Sequence, residues 1–268
     1  MLFSILIVVG SLFAIFTVVI LRGLPALSIS MITQTPKGGY YLGKEGGILN
    51  AIVGSLFLAG GSTLLAILVS LPIALYIHEY LGRARIANFI RLSLDVLWGI
   101  PSIVYGAFSF TIMVSLRMRA SLLWGIITVT LFLIPIMTRA MDEVFKMVPQ
   151  KVKEASYALG STRLETVAKI VTRQALPGIV TAVLLSFGRA IGDAASVLLT
   201  AGYTDSIPRS LFDPVATLPL AVFFQLGTPY PEVQQRAYAS GFLLLILVMF
   251  FSIASRISAK KFMKYTIT

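Results

Sequence analysis

The sequence contains no cysteine and a single histidine, His78. Disulfide frameworks, thiolate chemistry and cysteine-ligated zinc are thereby excluded, and one imidazole alone cannot build a metal site or a nucleophile–histidine relay. Charge is also scarce. Only 12% of the 268 residues are Asp, Glu, Lys or Arg, whereas soluble domains carry about 25%. Acidic residues are the rarer sign, 11 against 22 basic, for a net charge of +11. In a soluble protein that excess would suggest nucleic acid. In a chain that is 57% hydrophobic, with a mean hydropathy of +0.90, basic residues instead flank membrane spans and meet anionic headgroups.

What abounds is apolar sequence in runs of about 20 residues, the length that crosses hydrocarbon as a helix. The expected fold class is all-α, a polytopic membrane protein with one transmembrane domain over 1–268. Six spans are expected, at about 2–22, 51–77, 94–116, 121–138, 177–201 and 239–256. The first run has no basic n-region and no small-residue cleavage pattern, so it reads as a retained span. Fourteen of the 22 basic residues fall in inner segments and seven in outer ones, with Arg189 inside a span. That bias places both termini inside, although Arg117 and Arg119 oppose it locally. Two long outer loops follow, about 23–50 and 202–238. In the second, the run 218–226 is too short to cross and is expected to lie at the interface or re-enter.

The inner segment of about 140–176 reads as two short helices carrying Lys151, Lys153, Glu154, Arg163 and Glu165. Pro149 starts the first, and Gly160 suits the left-handed residue that ends it. Thr162 and Glu165 form a capping box for the second, and Pro177 opens the next span. A charged knob held between two spans needs a partner to read it. Helix, glycine turn, helix resembles a DNA-binding motif, but this pair is pinned at the membrane and has no room to enter a groove. Gly38-x-x-x-x-Gly43-Lys44 approaches a P-loop, yet Glu45 stands where the Mg²⁺-holding hydroxyl belongs and no strand precedes it. ATP binding by that motif is excluded.

Two polar stripes mark candidate paths. Ser186, Arg189, Asp193, Ser196 and Thr200 recur at helical spacing and would share one face of a helix. Charges at membrane depth usually face a bundle interior or a water path, and Arg189 and Asp193 can pair at i, i+4. The stripe is either a translocation path or an ion pair that fixes packing. The three hydroxyls favour the path. Asp95, Trp98, Ser102, Tyr105 and Ser109 form a second stripe, broken by Gly99 and Pro101. Asp95 is expected to pair with Arg91 at the cytoplasmic edge, leaving Ser102 and Tyr105 as the path candidates. Gly188 and Gly192 form a small-xxx-small pair suited to close helix approach.

Glu154-Ala155-Ser156, Gly160 and Ile170 together resemble the permease signature of ABC importers. The usual Leu-Pro after the isoleucine is Thr172-Arg173 here, and a second Leu-Pro stands at Leu176-Pro177. Segments 47–55, 95–106, 188–193 and 217–220 resemble the PstA-type permease family of phosphate importers, over nearly the whole chain. That family usually has Glu at the position of Asp193, and Thr-Ala-Pro where Ala194-Ala195-Ser196 stand.

The resemblance implies a type I ABC importer permease fold in the inner membrane of a prokaryote. It implies a homologous second permease subunit, two ATPase subunits docked around Glu154, Ala155, Ser156 and Gly160, and an extracytoplasmic phosphate-binding protein. No cofactor is then expected on this chain, since ATP and Mg would sit on the ATPase, and the chain would be no enzyme. Two alternatives stay open: a permease for another oxyanion such as molybdate or tungstate, and an ion-coupled secondary transporter or channel. Against the second stand the lack of an internal repeat and the few intramembrane carboxylates.

Overall fold

The computed structural model describes residues 2–37, 46–82 and 84–263. The rejected P-loop-like segment 38–45, Arg83 and the basic Lys264 lie outside them. The described residues are helical in the order α1 (Leu2–Ala26), α2 (Ile29–Thr33), α3 (Leu49–Leu75), α4 (Arg85–Gly99), α5 (Ser102–Ser115), α6 (Leu122–Lys146), α7 (Gln150–Ala158), α8 (Arg163–Glu165), α9 (Thr172–Gly192), α10 (Leu218–Leu226) and α11 (Pro231–Met263). A π-helical turn, Tyr76–Leu81, extends α3, and a second, Thr166–Val171, joins α8 to α9. Five helices are long and apolar enough to cross a membrane, or six if the bent pair α4 and α5 counts as one span.

The core lies between α3, α6 and α9. Along α3, Ala59, Ser62, Ala66, Ser70 and Ala74 are all buried and line one face. Small side chains of this kind let two membrane helices approach closely. Val129, Phe132, Leu133, Met137 and Met141 of α6 fill that face, and Val171 at the end of the second π turn with Ala175, Ile179 and Ala182 of α9 close it. α1 is the opposite case. Phe3, Leu6 and Phe13 are exposed, and the helix packs mainly along α11. Its apolar surface is left for lipid.

Four boundaries differ from those expected. The third span is two helices bent by 93°. Ile100 and Pro101 have extended backbone, with ψ of 130° and 139°, because a residue before proline is pushed out of the α region and proline donates no hydrogen bond. The fourth span runs to Lys146 rather than 138. α9 begins at Thr172, so Pro177 lies inside it, and it ends at Gly192 rather than 201. α11 begins at Pro231, so Arg236 belongs to a helix and not to an outer loop. It is buried, 2% exposed. The short helix α10 packs into the bundle against α11, with Leu218, Leu220 and Gln225 buried.

Candidate functional site

The expected stripe of five residues does not lie on one helix. Ser186 and Arg189 are on α9, whereas Asp193 follows its last turn and Ser196 and Thr200 sit in the turns beyond. The cause is local. The Asp193 carboxylate accepts the Ser196 N–H through Oδ2 at 3.0 Å, and an aspartate that bonds the backbone three residues on offers the chain an alternative to the helix ladder. Its Oδ1 accepts the Ser102 hydroxyl at 2.8 Å. Asp193 therefore joins the end of α9 to the start of α5.

Arg189 does not pair with Asp193. Its side chain is exposed and its guanidinium carbon stands 4.7 Å from the centre of the Phe132 ring, within cation–π range. Tyr105 meets the same ring edge-on at 5.9 Å between centroids. The Tyr105 hydroxyl donates to Leu97 O at 2.9 Å, across the bend between α4 and α5. Ser196 and Thr200 are buried, and Thr128 Oγ1 of α6 lies 3.2 Å from Thr200 Oγ1. Gly106 on α5 faces this turn so closely that a Cβ there would come within 2.6 Å of Ser196 O. Ser102, Tyr105, Asp193, Ser196 and Thr200 are thus gathered around one junction, with Ser186 and Arg189 on the last turns of α9. Gly188 and Gly192 bring no helices of this chain together; an added Cβ at either would meet nothing within 4 Å.

Between α6 and α9, α7 follows Pro149, which is its N-cap. Gly160 has φ of +83°, the left-handed conformation that ends a helix. Thr162 and Glu165 complete a reciprocal capping box. One face of α7 is outward: Glu154 and Ala155 are exposed, and Leu159 just beyond it is 87% exposed. Met147 and Leu164 are also exposed beside it. An apolar patch rimmed by polar groups marks an interaction surface. Ser156 is not on that face. It is buried, and its hydroxyl lies 2.9 Å from that of Thr166.

Beneath α7 lies a charge network absent from the expected site. Asp142, fully buried in α6, accepts Arg91 in two bonds of 2.8 and 3.2 Å and also Arg139 at 3.2 Å. Arg91 thus serves Asp142 and not Asp95. Asp95 takes Arg139 at 2.7 Å instead. Lys153 of α7 points inward to Glu79 at 2.5 Å and to His78 Nε2 at 3.3 Å. Arg163 donates to Glu79 O and lies over the Tyr80 ring at 4.5 Å. The available signal was the rarity of charge itself: a fully buried carboxylate such as Asp142 in so apolar a chain needs a cation. In the segment between α9 and α10, burial raises the Asp205 carboxyl above its usual range, and the nearby Arg236 pulls it back.

The chain belongs to the family of binding-protein-dependent transport system inner membrane components, whose model matches residues 66–264. Its architecture is that of type I ABC importer permeases: a solved methionine ABC transporter, MetNI, in an inward-facing conformation, superposes with a TM-score of 0.63 at 19% identity, covering 80% of this chain and 95% of that one.

Among its relatives is the phosphate transport system permease protein PstA of Haemophilus influenzae, 33% identical over 239 residues, 89% of this chain and 83% of that protein. PstA 1 of Mycobacterium tuberculosis strain CDC 1551 is 34% identical over 241 residues, 89% and 79% of the two chains. The probable ABC transporter permease YqgI of Bacillus subtilis is 29% identical over 266 residues, 93% and 89%.

Proposed function

We propose that this chain is one of two homologous permease subunits of an ATP-driven phosphate importer in a prokaryotic inner membrane, with both termini cytoplasmic. The observation that carries the reading is α7, a helix closed by a positive-φ glycine between two spans. It presents Glu154, Ala155 and Leu159 outward beside an apolar patch. One ATPase subunit docks on that face, and a second docks on the partner permease. ATP and Mg belong to those subunits, so this chain catalyses no reaction and carries no cofactor. The family's dependence on binding proteins supports an extracytoplasmic phosphate-binding protein as the donor. The relatives named for phosphate favour that anion over molybdate or tungstate.

In this reading Arg189 is the anion-attracting group. A guanidinium stays charged, and its planar fork matches two oxygens of a tetrahedral oxyanion. It stands on an open face with Gly188 and Gly192, which the second permease covers to complete the path. Asp193 has another task than orienting Arg189. It holds the α5–α9 junction, where Ser102, Ser196 and Thr200 lie, while Tyr105 secures the bend in front of it. Closure of the ATPase pair moves α7, and the spans rock between inward and outward access. A path that held its ion tightly could not release it, so selectivity rests mainly with the external binding protein.

The test is to purify the membrane complex and measure uptake in vesicles. A co-purifying P-loop ATPase and ATP-dependent uptake of phosphate in preference to molybdate are expected. Uptake driven by an ion gradient without ATP would reject the reading.

A further inference from the structure

Lys153 is on the helix assigned above to ATPase docking, yet its side chain is turned away from the docking face and buried. It reaches Glu79, 74 residues earlier, on the π-helical turn that ends α3. Both side chains are nearly enclosed, 9% and 6% exposed. Elsewhere α7 is held to its own neighbours in sequence: to α6 through 147–149 and to the Thr166–Val171 turn through Ser156. A cleft of about 1030 Å³ separates α7 from the Tyr76–Leu81 turn and α4, lined among others by His78, Glu79, Arg91, Lys146 and Lys153. Three of its cations have acid partners within the chain, Arg91 with Asp142, Lys146 with Glu143 and Lys153 with Glu79, while Arg163 is held by the Glu79 carbonyl and the Tyr80 ring. The cleft is a gap bridged by the Lys153–Glu79 ion pair.

We infer that the Lys153–Glu79 pair is the tie rod of the transporter, carrying displacement of α7 directly to α3. The argument is mechanical. A helix pushed from below moves what it is attached to, and across the cleft α7 is attached to the turn ending α3 through this pair, while the following α8 meets the same turn through Arg163, which donates to Glu79 O. An ion pair shielded from water is stiffer than a surface one because screening is weak there. α3 lies along the buried face of α6, so motion delivered to its inner end enters the core of the bundle. π-helical turns are rare and frequently mark functional sites, and Glu79 lies on one. Both residues are positioning residues; neither touches substrate.

The inference rests on the ATPase-docking reading, and the experiment separates the two. Lys153→Glu, Glu79→Lys and the exchanged pair are made in the assembled complex, with ATPase co-purification, hydrolysis and phosphate uptake all measured. The single variants are expected to keep the ATPase and its hydrolysis but to lose uptake by on the order of tenfold, an ordinary size for coupling between sites. The exchanged pair is expected to recover most of it. Because the chain has no cysteine, Lys153→Cys with Glu79→Cys gives a unique intrachain pair. Uptake should be low until a short bismaleimide joins the two, as seen in linked peptides, and should then return.

Wild-type uptake in the single variants, or no recovery on either exchange or linking, overturns the tie rod. So does failure of the two cysteines to link, or loss of assembly in the cysteine pair that the exchanged pair does not share. A wild-type complex without any ATPase instead rejects the docking reading itself.

Discussion

The Ser102 hydroxyl donates to the Asp193 carboxylate at 2.8 Å and so joins two interruptions of helical structure. Ser102 opens α5 just after the Pro101 break, and Asp193 follows the last turn of α9. The bond fixes where two half-buried chain breaks meet, and those breaks set the geometry of the proposed path. Hydrogen bonds to a charged acceptor contribute roughly 1.5–3 kcal/mol. Asp193→Ala removes this bond and the one to the Ser196 N–H and is expected to lower both the thermal midpoint of the complex and its uptake. Asp193→Asn keeps one carbonyl oxygen and should fall between. Equal midpoints for the two variants would count against the bracing role.

In the proposed path Arg189 attracts the anion without help from Asp193. Arg189→Lys keeps the charge and loses the fork, so uptake should fall with assembly intact. Arg189→Gln should fall further. The measurement is phosphate uptake at normal complex abundance. Wild-type uptake by Arg189→Gln would assign the arginine to packing against Phe132 and move the path to the Ser102–Tyr105 side.

Gly160 has open space around its missing Cβ, so substitution there acts through the backbone alone. The left-handed conformation costs an L-residue roughly 1–2 kcal/mol. Gly160→Val, which adds β-branching, should weaken ATPase co-purification or uncouple hydrolysis from uptake, and Gly160→Asn should be milder. If Gly160→Val combined with Glu154→Lys still binds the ATPase and transports normally, docking at α7 is wrong.

Gly106 and Gly188 make a matched pair of probes. Gly106→Ala would drive a Cβ to within 2.6 Å of Ser196 O, and overpacking of this kind costs roughly 1–3 kcal/mol. It should destabilise the chain itself. A Cβ at Gly188 meets nothing within 4 Å, so Gly188→Leu should leave the chain's thermal midpoint unchanged while reducing association with the second permease. Normal assembly by Gly188→Leu would show that the partner does not sit on this face.

Orientation is checked at the ends. A reporter active only outside the cell, fused after Thr268, is expected to be silent. A maleimide that cannot cross membranes should label Glu154→Cys only after the cells are opened. Strong reporter activity would reverse the proposed topology.

Much of the helical plan was legible because apolar runs long enough to cross a bilayer leave few other choices. The cap of α7 was legible too, since Gly160, Thr162 and Glu165 act within a few residues of one another. The path stripe was not. Helical spacing assumes that the helix continues, and Pro101 and Asp193 each end one inside the expected span. Asp193 ends it with a side-chain bond to its own backbone, a local competition that periodicity does not register. Ion partners were the least legible. Arg139 meets Asp95 across 44 residues and Lys153 meets Glu79 across 74, so only packing of the helices reveals who is next to whom. The near choice, Arg91 with Asp95, lost to Asp142, whose full burial demands more cation than an edge carboxylate does.

The way α1 is attached sets an order of events during synthesis. Its anchor is α11, where Arg22 Nη1 donates to the Tyr238 hydroxyl at 2.8 Å and Gly23 lies against Tyr238 and Phe242. Of the described helices, α1 leaves the ribosome before all the others and α11 after them, so α1 waits for α11 before it can dock. In the interval it has to persist alone in lipid, which its predominantly apolar surface allows. The chain's closing step is then an encounter between its two most distant spans, a late event separable from formation of the α3–α6–α9 core. Interrupting translation before Tyr238 should leave that core formed and α1 adrift.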